Sequence, residues 1–282
     1  MGAWFASFLR SNGYQVIISD KNRSAARRLA RKEGFRFLDD QGLAVRSGQL
    51  IILATPTKVT RRLMEGIPSR LPSGALVVEI SSVKESMRRV IQKLQKRNVP
   101  VLSIHPMFGP GSRTVAGKAV IIVSSPARNI LANRFLALLR KRGARLVRSD
   151  FEEHDKLASV LLALPHFVNV AFVNTLRAIA HDLNRTREMA GTTFKLQLLT
   201  AEEIYEDDLD NEVSILADSK HSLNVLEEFG RQTTVTVNII KKGNRKRTLR
   251  NLRGGRDYLE KDRLFASAYK RFNLAVEASS LS

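Results

Sequence analysis

Apolar residues in the first half of the chain fall into short runs divided by helix-forming stretches. Tyr14–Ser19 (YQVIIS), Leu50–Ala54 (LIILA), Ala75–Ile80 (ALVVEI), Val101–Ile104, Ala119–Val123 (AVIIV) and Gly143–Val147 (GARLV) are strand-length runs, most of them β-branched. Ser24–Glu33, Lys84–Lys96 and Asn129–Arg142 lie between them and are rich in helix formers. Strands alternating with helices of this length predict βαβ units and a mostly parallel sheet. The pattern changes near Asp150. From Glu152 to about His181 it is helical and too apolar to face water all round, so this helix is expected in a core or a subunit interface. Ala201–Asp210, Val213–Phe229 and Tyr258–Leu274 are further helix candidates. The expectation is an α/β domain over residues 1–150 and an all-α domain over 151–282.

Composition narrows the function classes. The chain has 282 residues and no cysteine, which excludes disulfides, thiolate zinc sites and a cysteine nucleophile. No run approaches the roughly 18 uninterrupted apolar residues of a membrane span, and the N-terminus lacks the order of a secretory signal. A soluble, cytoplasmic protein without membrane contact is expected. The 47 Lys and Arg against 27 Asp and Glu leave a net charge of +20, which attracts anions. Part of the excess is concentrated in Lys241–Arg256 (KKGNRKRTLRNLRGGR), which has no acidic residue. It reads either as a site for an anionic partner such as RNA or as a solvated loop between the last helices, with Gly254-Gly255 as a flexible turn. Without interleaved aromatic residues the loop is favoured, and a nucleic-acid partner is not expected.

Candidate chemistry gathers at strand ends. Gly2 precedes Asp20 by eighteen residues, the interval between the third glycine of a dinucleotide-binding fingerprint and its ribose-binding acid. On this spacing alone a capping Asp after an ordinary strand is the simpler reading. If the fingerprint is real, its first strand and first two glycines lie upstream of residue 1. His105 follows a strand and opens HPMFGPG, where Pro106 and the glycines around Pro110 shape a loop that could lie against a ligand. His154 and His166, twelve apart, fall near one face of the apolar helix, and Pro165 should kink it beside His166. His154-Asp155 could also be part of a helix cap. No third ligand has metal-site spacing, so no metal is expected.

Taken together, the Gly2–Asp20 interval, Ser81-Ser82-Val83-Lys84 after a strand, His105-Pro106-Met107-Phe108-Gly109, His154-Asp155 with Leu164-Pro165-His166, and Phe194-Lys195 resemble the prephenate/arogenate dehydrogenases of tyrosine biosynthesis. The resemblance spans most of residues 1–210. It implies a Rossmann-like, doubly wound parallel sheet followed by an all-α dimerisation domain, NAD or NADP as cofactor, prephenate or arogenate as substrate, and a homodimer. His105 would accept the proton of the substrate's ring hydroxyl as hydride leaves the same carbon, with Ser82 holding that hydroxyl or His105 itself. His154, His166, Lys195 and Arg113 would meet the substrate, and Gly2, Asp20, Thr55 and Pro56 the cofactor. Asp20 would favour NAD, because a carboxylate repels the 2′-phosphate of NADP. The sequence departs from many bacterial members at Leu199, where they carry an arginine for the ring carboxylate; either Lys195 or Arg113 would substitute or the substrate would be held differently. A non-catalytic basic binding protein derived from the same fold is the rival reading.

Overall fold

The computed structural model describes residues 1–179, 182–206 and 209–280. The chain divides into two compact units, Met1–Ala158 and Ser159–Ser282. The expected border near 150 falls eight residues earlier, because the helix after Asp150 packs on the first unit.

The first unit runs α1 (Gly2–Arg10), β1 (Ile17–Ile18), α2 (Arg23–Glu33), β2 (Arg36–Phe37), α3 (Gln41–Arg46), β3 (Leu50–Leu53), α4 (Thr57–Gly66), β4 (Leu76–Glu79), α5 (Glu85–Gln95), β5 (Val101–Pro106), β6 (Ala119–Ser124), α6 (Ile130–Lys141), β7 (Arg145–Arg148) and α7 (Phe151–Ala158). Strands β1 and β2 form a parallel pair of their own, and the other five lie in the order β3-β4-β5-β6-β7. All pairs in that sheet are parallel except β5–β6. The exception has a local cause. Parallel neighbours need a crossover, usually a helix, and residues 107–118 between β5 and β6 form no helix.

Alternation along the strands sorts side chains onto two covered faces. Leu76, Val78 and Ile80 pack with Leu102 and Ile104 against Phe5 of α1 and Phe135 and Leu139 of α6. Val77 and Val101 face Met64 of α4 and Met87, Ile91 and Leu94 of α5. By the same register Glu79 pairs with Ser103 on this second face, and His105 follows two residues on. A carboxylate and an imidazole therefore enter an otherwise apolar layer.

The second unit is helical among its described residues: α8 (Leu164–Ile179), α9 (Leu183–Glu188), α10 (Thr192–Glu206), α11 (Leu209–Ala217), α12 (Lys220–Lys241), α13 (Arg245–Leu259) and α14 (Ala268–Ser280). Of the long apolar helix expected to about His181, residues 180–181 lie outside the described residues, as do 207–208 of the helix expected over Ala201–Asp210. A π-helical turn, Ser159–Ala163, precedes Pro165. Proline offers no N–H to the carbonyl four residues back, and a widened turn accommodates that loss. The Phe151–Ile179 stretch is long and apolar enough to cross a membrane by length and composition, and only 17% of its most apolar window is buried within the chain.

Two expectations are corrected here. The basic run is not a loop: Asn244 accepts a hydrogen bond from the Arg247 N–H and starts α13, which continues through Gly254 and Gly255. The helix expected over Tyr258–Leu274 is broken instead, between the end of α13 and the start of α14.

Candidate active site

The carboxyl ends of β4 and β5 hold a connected set of buried polar groups. His105 sits in a strand whose six residues are all buried. Its Nδ1 is 2.9 Å from Nε2 of His154, which comes from α7. The other nitrogen of His154, Nδ1, is 2.8 Å from Asp155 Oδ1. Asp155 also accepts the backbone N–H groups of Lys84 at Oδ1 (2.8 Å) and Glu85 at Oδ2 (2.9 Å). The cap of α7 is Asp150, whose Oδ1 accepts the Glu152 and Glu153 N–H groups. His154 and Asp155 are thus interior helical residues, not a cap.

This chain of bonds assigns the protons. A carboxylate only accepts, so Nδ1 of His154 carries its hydrogen and, in the neutral ring, Nε2 is an acceptor. His105 therefore donates from Nδ1, which leaves its lone pair on Nε2. Burial pushes the His105 imidazole well below the usual value of 6.5, and the neighbouring His154 and the Lys84 ammonium push the same way. A neutral base with its free lone pair on Nε2 is what proton abstraction near neutral pH requires.

A second buried group lies beneath. The Lys84 ammonium, fully buried, donates to Glu79 Oε1 at 2.7 Å and to the carbonyl of Ile104 at 2.7 Å. Glu79 also accepts the Ser103 hydroxyl and, at Oε2, the Ser81 N–H at 3.0 Å. A glutamate inside the run ALVVEI was the available signal for this cluster, because charges are almost never fully buried unless paired.

The loop after His105 is tied to α1. Trp4 Nε1 donates to the Ser112 carbonyl at 2.6 Å, and its ring meets Phe108 edge-on with centroids 4.7 Å apart. Arg113 is exposed on this loop, and Ser82 is half-buried in the turn between β4 and α5.

The residues expected at the cofactor fit a dinucleotide. A Cβ added at Gly2 would lie 3.4 Å from Ala54 Cβ, so a small residue lets α1 approach the end of β3. The first turn of α1 has no acidic side chain to oppose an anion. The hydroxyls of Ser19, after β1, and Ser81, after β4, are buried without a protein partner, at the strand ends where such sheets bind ligands. Asp20 is exposed and its Oδ1 accepts the Asn22 N–H at 2.8 Å. Thr55 bonds to Thr60 at 2.8 Å, and Pro56 is the N-cap of α4. Among the described residues no group of three His, Asp or Glu is placed to hold a metal.

His166 and Lys195 belong to the second unit. His166 Nδ1 is 2.5 Å from Oε2 of the buried Glu212 in α11, a partner the sequence did not suggest. Lys195 is exposed on α10, one turn before Leu199, which is also exposed.

A two-faced α/β unit with a buried histidine near the carboxyl ends of its strands has the architecture of a nucleotide-binding domain of dehydrogenase type. Two stretches of the chain match the two domains of one family. Residues 5–148 match the nucleotide-binding domain of prephenate dehydrogenase and residues 150–254 its dimerization domain. The chain belongs to the prephenate dehydrogenase family, and its first domain is that family's nucleotide-binding domain. It is 25% identical over 245 residues to the T-protein of Enterobacter agglomerans, covering 87% of this chain and 61% of that one. It is 26% identical over 241 residues to the chloroplastic arogenate dehydrogenase 1 of Arabidopsis thaliana, covering 81% and 36%. The crystal structure of Aquifex aeolicus prephenate dehydrogenase, in complex with hydroxyphenyl propionate and NAD+, superposes with a TM-score of 0.74 at 20% identity, covering 93% of this chain and 95% of that one. The chain spans about half the length of the curated relatives it matches.

Proposed function

We propose that this chain carries out the NAD(P)-dependent oxidative decarboxylation of prephenate, or of arogenate, which bears an amino group in the side chain. The observation that carries the proposal is the Asp155–His154–His105 relay, which presents a neutral Nε2 at the carboxyl end of β5. The bound nicotinamide supplies the hydride acceptor. His105 Nε2 takes the proton of the ring hydroxyl as the hydride leaves the same carbon. The bond to the ring carboxylate then breaks and carbon dioxide departs, its electron pair completing the aromatic ring.

His154, with both ring nitrogens engaged by protein groups, serves this reading better as the orienting partner of His105 than as a substrate ligand. Ser82 holds the ring hydroxyl, and His166, Lys195 and Arg113 supply polar and cationic contacts to the rest of the substrate. Gly2, Thr55 and Pro56 line the cofactor. Asp20 favours NAD over NADP, because its carboxylate would repel a 2′-phosphate. The dimer forms through the helical unit, whose apolar surface the chain itself leaves uncovered.

The test is His105→Asn. The amide keeps a hydrogen bond to the hydroxyl but cannot take its proton, so turnover should fall roughly 10²–10⁴-fold while NAD affinity stays nearly unchanged. A variant that melts early yet turns over normally per folded molecule would show that His105 only supports its loop.

A further inference from the structure

The relay explains which nitrogen of His105 is basic but not what holds its two ends in register. Asp155 and His105 lie on different elements, α7 and β5, and a shift of either breaks the bond through His154. One residue reaches both. The backbone N–H of Lys84 donates to Asp155 Oδ1 at 2.8 Å, and its ammonium donates to the carbonyl of Ile104, the peptide that leads into His105, at 2.7 Å.

From this geometry we propose that Lys84 is a positioning residue for His105, with Glu79 as its buried counter-ion, bracing the peptide entering the base and the carboxylate that ends the relay. This rests on the reading of His105 as the proton acceptor. Lys84 is fully buried, so it is a brace and not a contact for substrate or cofactor.

The physical case has two parts. A buried ion pair is a poor device for stability alone, since apolar residues of similar volume often serve as well or better. What the pair supplies here is direction: the carboxylate fixes the ammonium between β4 and β5, and the ammonium fixes one carbonyl. The pair also has an electrostatic consequence. The charged and titratable groups facing His105 are His154 and Asp155 from α7 and Lys84 from the turn before α5, with Glu79 of β4 behind Lys84; its neighbour in β6 is the uncharged Ile121. The Lys84 charge disfavours a proton on His105, and burial presses the Lys84 ammonium below its ordinary value while Glu79 opposes that shift. Without Lys84, a buried Glu79 would instead favour a proton on the imidazole.

The experiment compares Lys84→Met, Glu79→Gln and the double variant, which leaves no buried charge unpaired and keeps the test alive if Lys84→Met does not fold. The readouts are kcat and KM with prephenate and with arogenate, and the His105 titration midpoint by imidazole NMR, assigned with His105→Asn. Lys84→Met should lower kcat roughly 10–100-fold, the scale of a sub-ångström to 1 Å misplacement, with little change in KM. It should also raise the His105 midpoint, and Glu79→Gln should lower it. The folded double variant should stay slow, because the Ile104 carbonyl has lost its donor. A folded double variant with wild-type kcat, or an unmoved midpoint in both single variants, overturns the proposal. Wild-type protein that oxidises neither substrate defeats the functional reading instead, and the midpoints then still decide the link between Lys84 and His105.

Discussion

Replacing Asp155 by Asn separates the catalytic from the structural part of the relay. The carboxylate accepts three bonds of 2.8–2.9 Å, from Lys84 N–H and His154 Nδ1 on Oδ1 and from Glu85 N–H on Oδ2. An amide has one oxygen. Placed at Oδ1 it keeps two of the three donors, and its NH2 then faces the Glu85 N–H, the least buried of them. One unsatisfied donor costs about 1–3 kcal/mol, and each kcal/mol lowers Tm by ~2–4 °C in a protein of 150–250 residues. The charge is lost as well. When a proton arrives at His105 Nε2, the resulting imidazolium donates to His154, which donates to a carboxylate in the native protein and to a neutral amide in the variant. A hydrogen bond to a charged group is worth about 1.5–3 kcal/mol against about 1 for a neutral one, so the difference is ~0.5–2 kcal/mol at the transition state, roughly two- to thirtyfold in kcat. The assay is NADH formation with each substrate, normalised to folded protein from a melting curve. A variant that melts lower by the expected amount and retains wild-type kcat would refute the relay and leave Asp155 as a clamp for the turn before α5.

Two further outcomes follow from the same groups. Because burial depresses the folded-state affinity of His105 for protons, the unfolded chain binds the extra proton first; stability from this group is present above about pH 6.5 and is lost as pH falls below it. Melting temperature followed downward from pH 7 should fall less steeply in His105→Asn, and parallel curves would contradict the assignment; for the same reason the wild-type rate should be flat near neutrality, its acid limb lying below the ordinary histidine range. The apolar surface of the Phe151–Ile179 helix should be covered by a second copy, so light scattering at micromolar concentration should return twice the mass of the chain, and a monomer would remove that claim.

The alternation of strand and helix, the position of His105 at a strand end and the switch to helices near Asp150 were all legible in the order of residues, because period and turn chemistry are local properties. The antiparallel turn of β6 was legible in principle, since the segment before it holds no crossover helix. Helix α13 was misread: a run of like charges with two glycines resembles a loop, yet the Asn244 cap and the leucines at 249 and 252 sit in a helix whose charges remain solvated. What no local pattern contains is the pairing of His105 with a histidine 49 residues away, or of Lys84 with a carboxylate 71 residues away. Those distances close only because β4 and β5 share a register and α7 packs against α5 and β6. Sequence alone could offer His105 only as a candidate base. Which of its nitrogens carries the lone pair depends on a ring and a carboxylate that only tertiary packing brings to it.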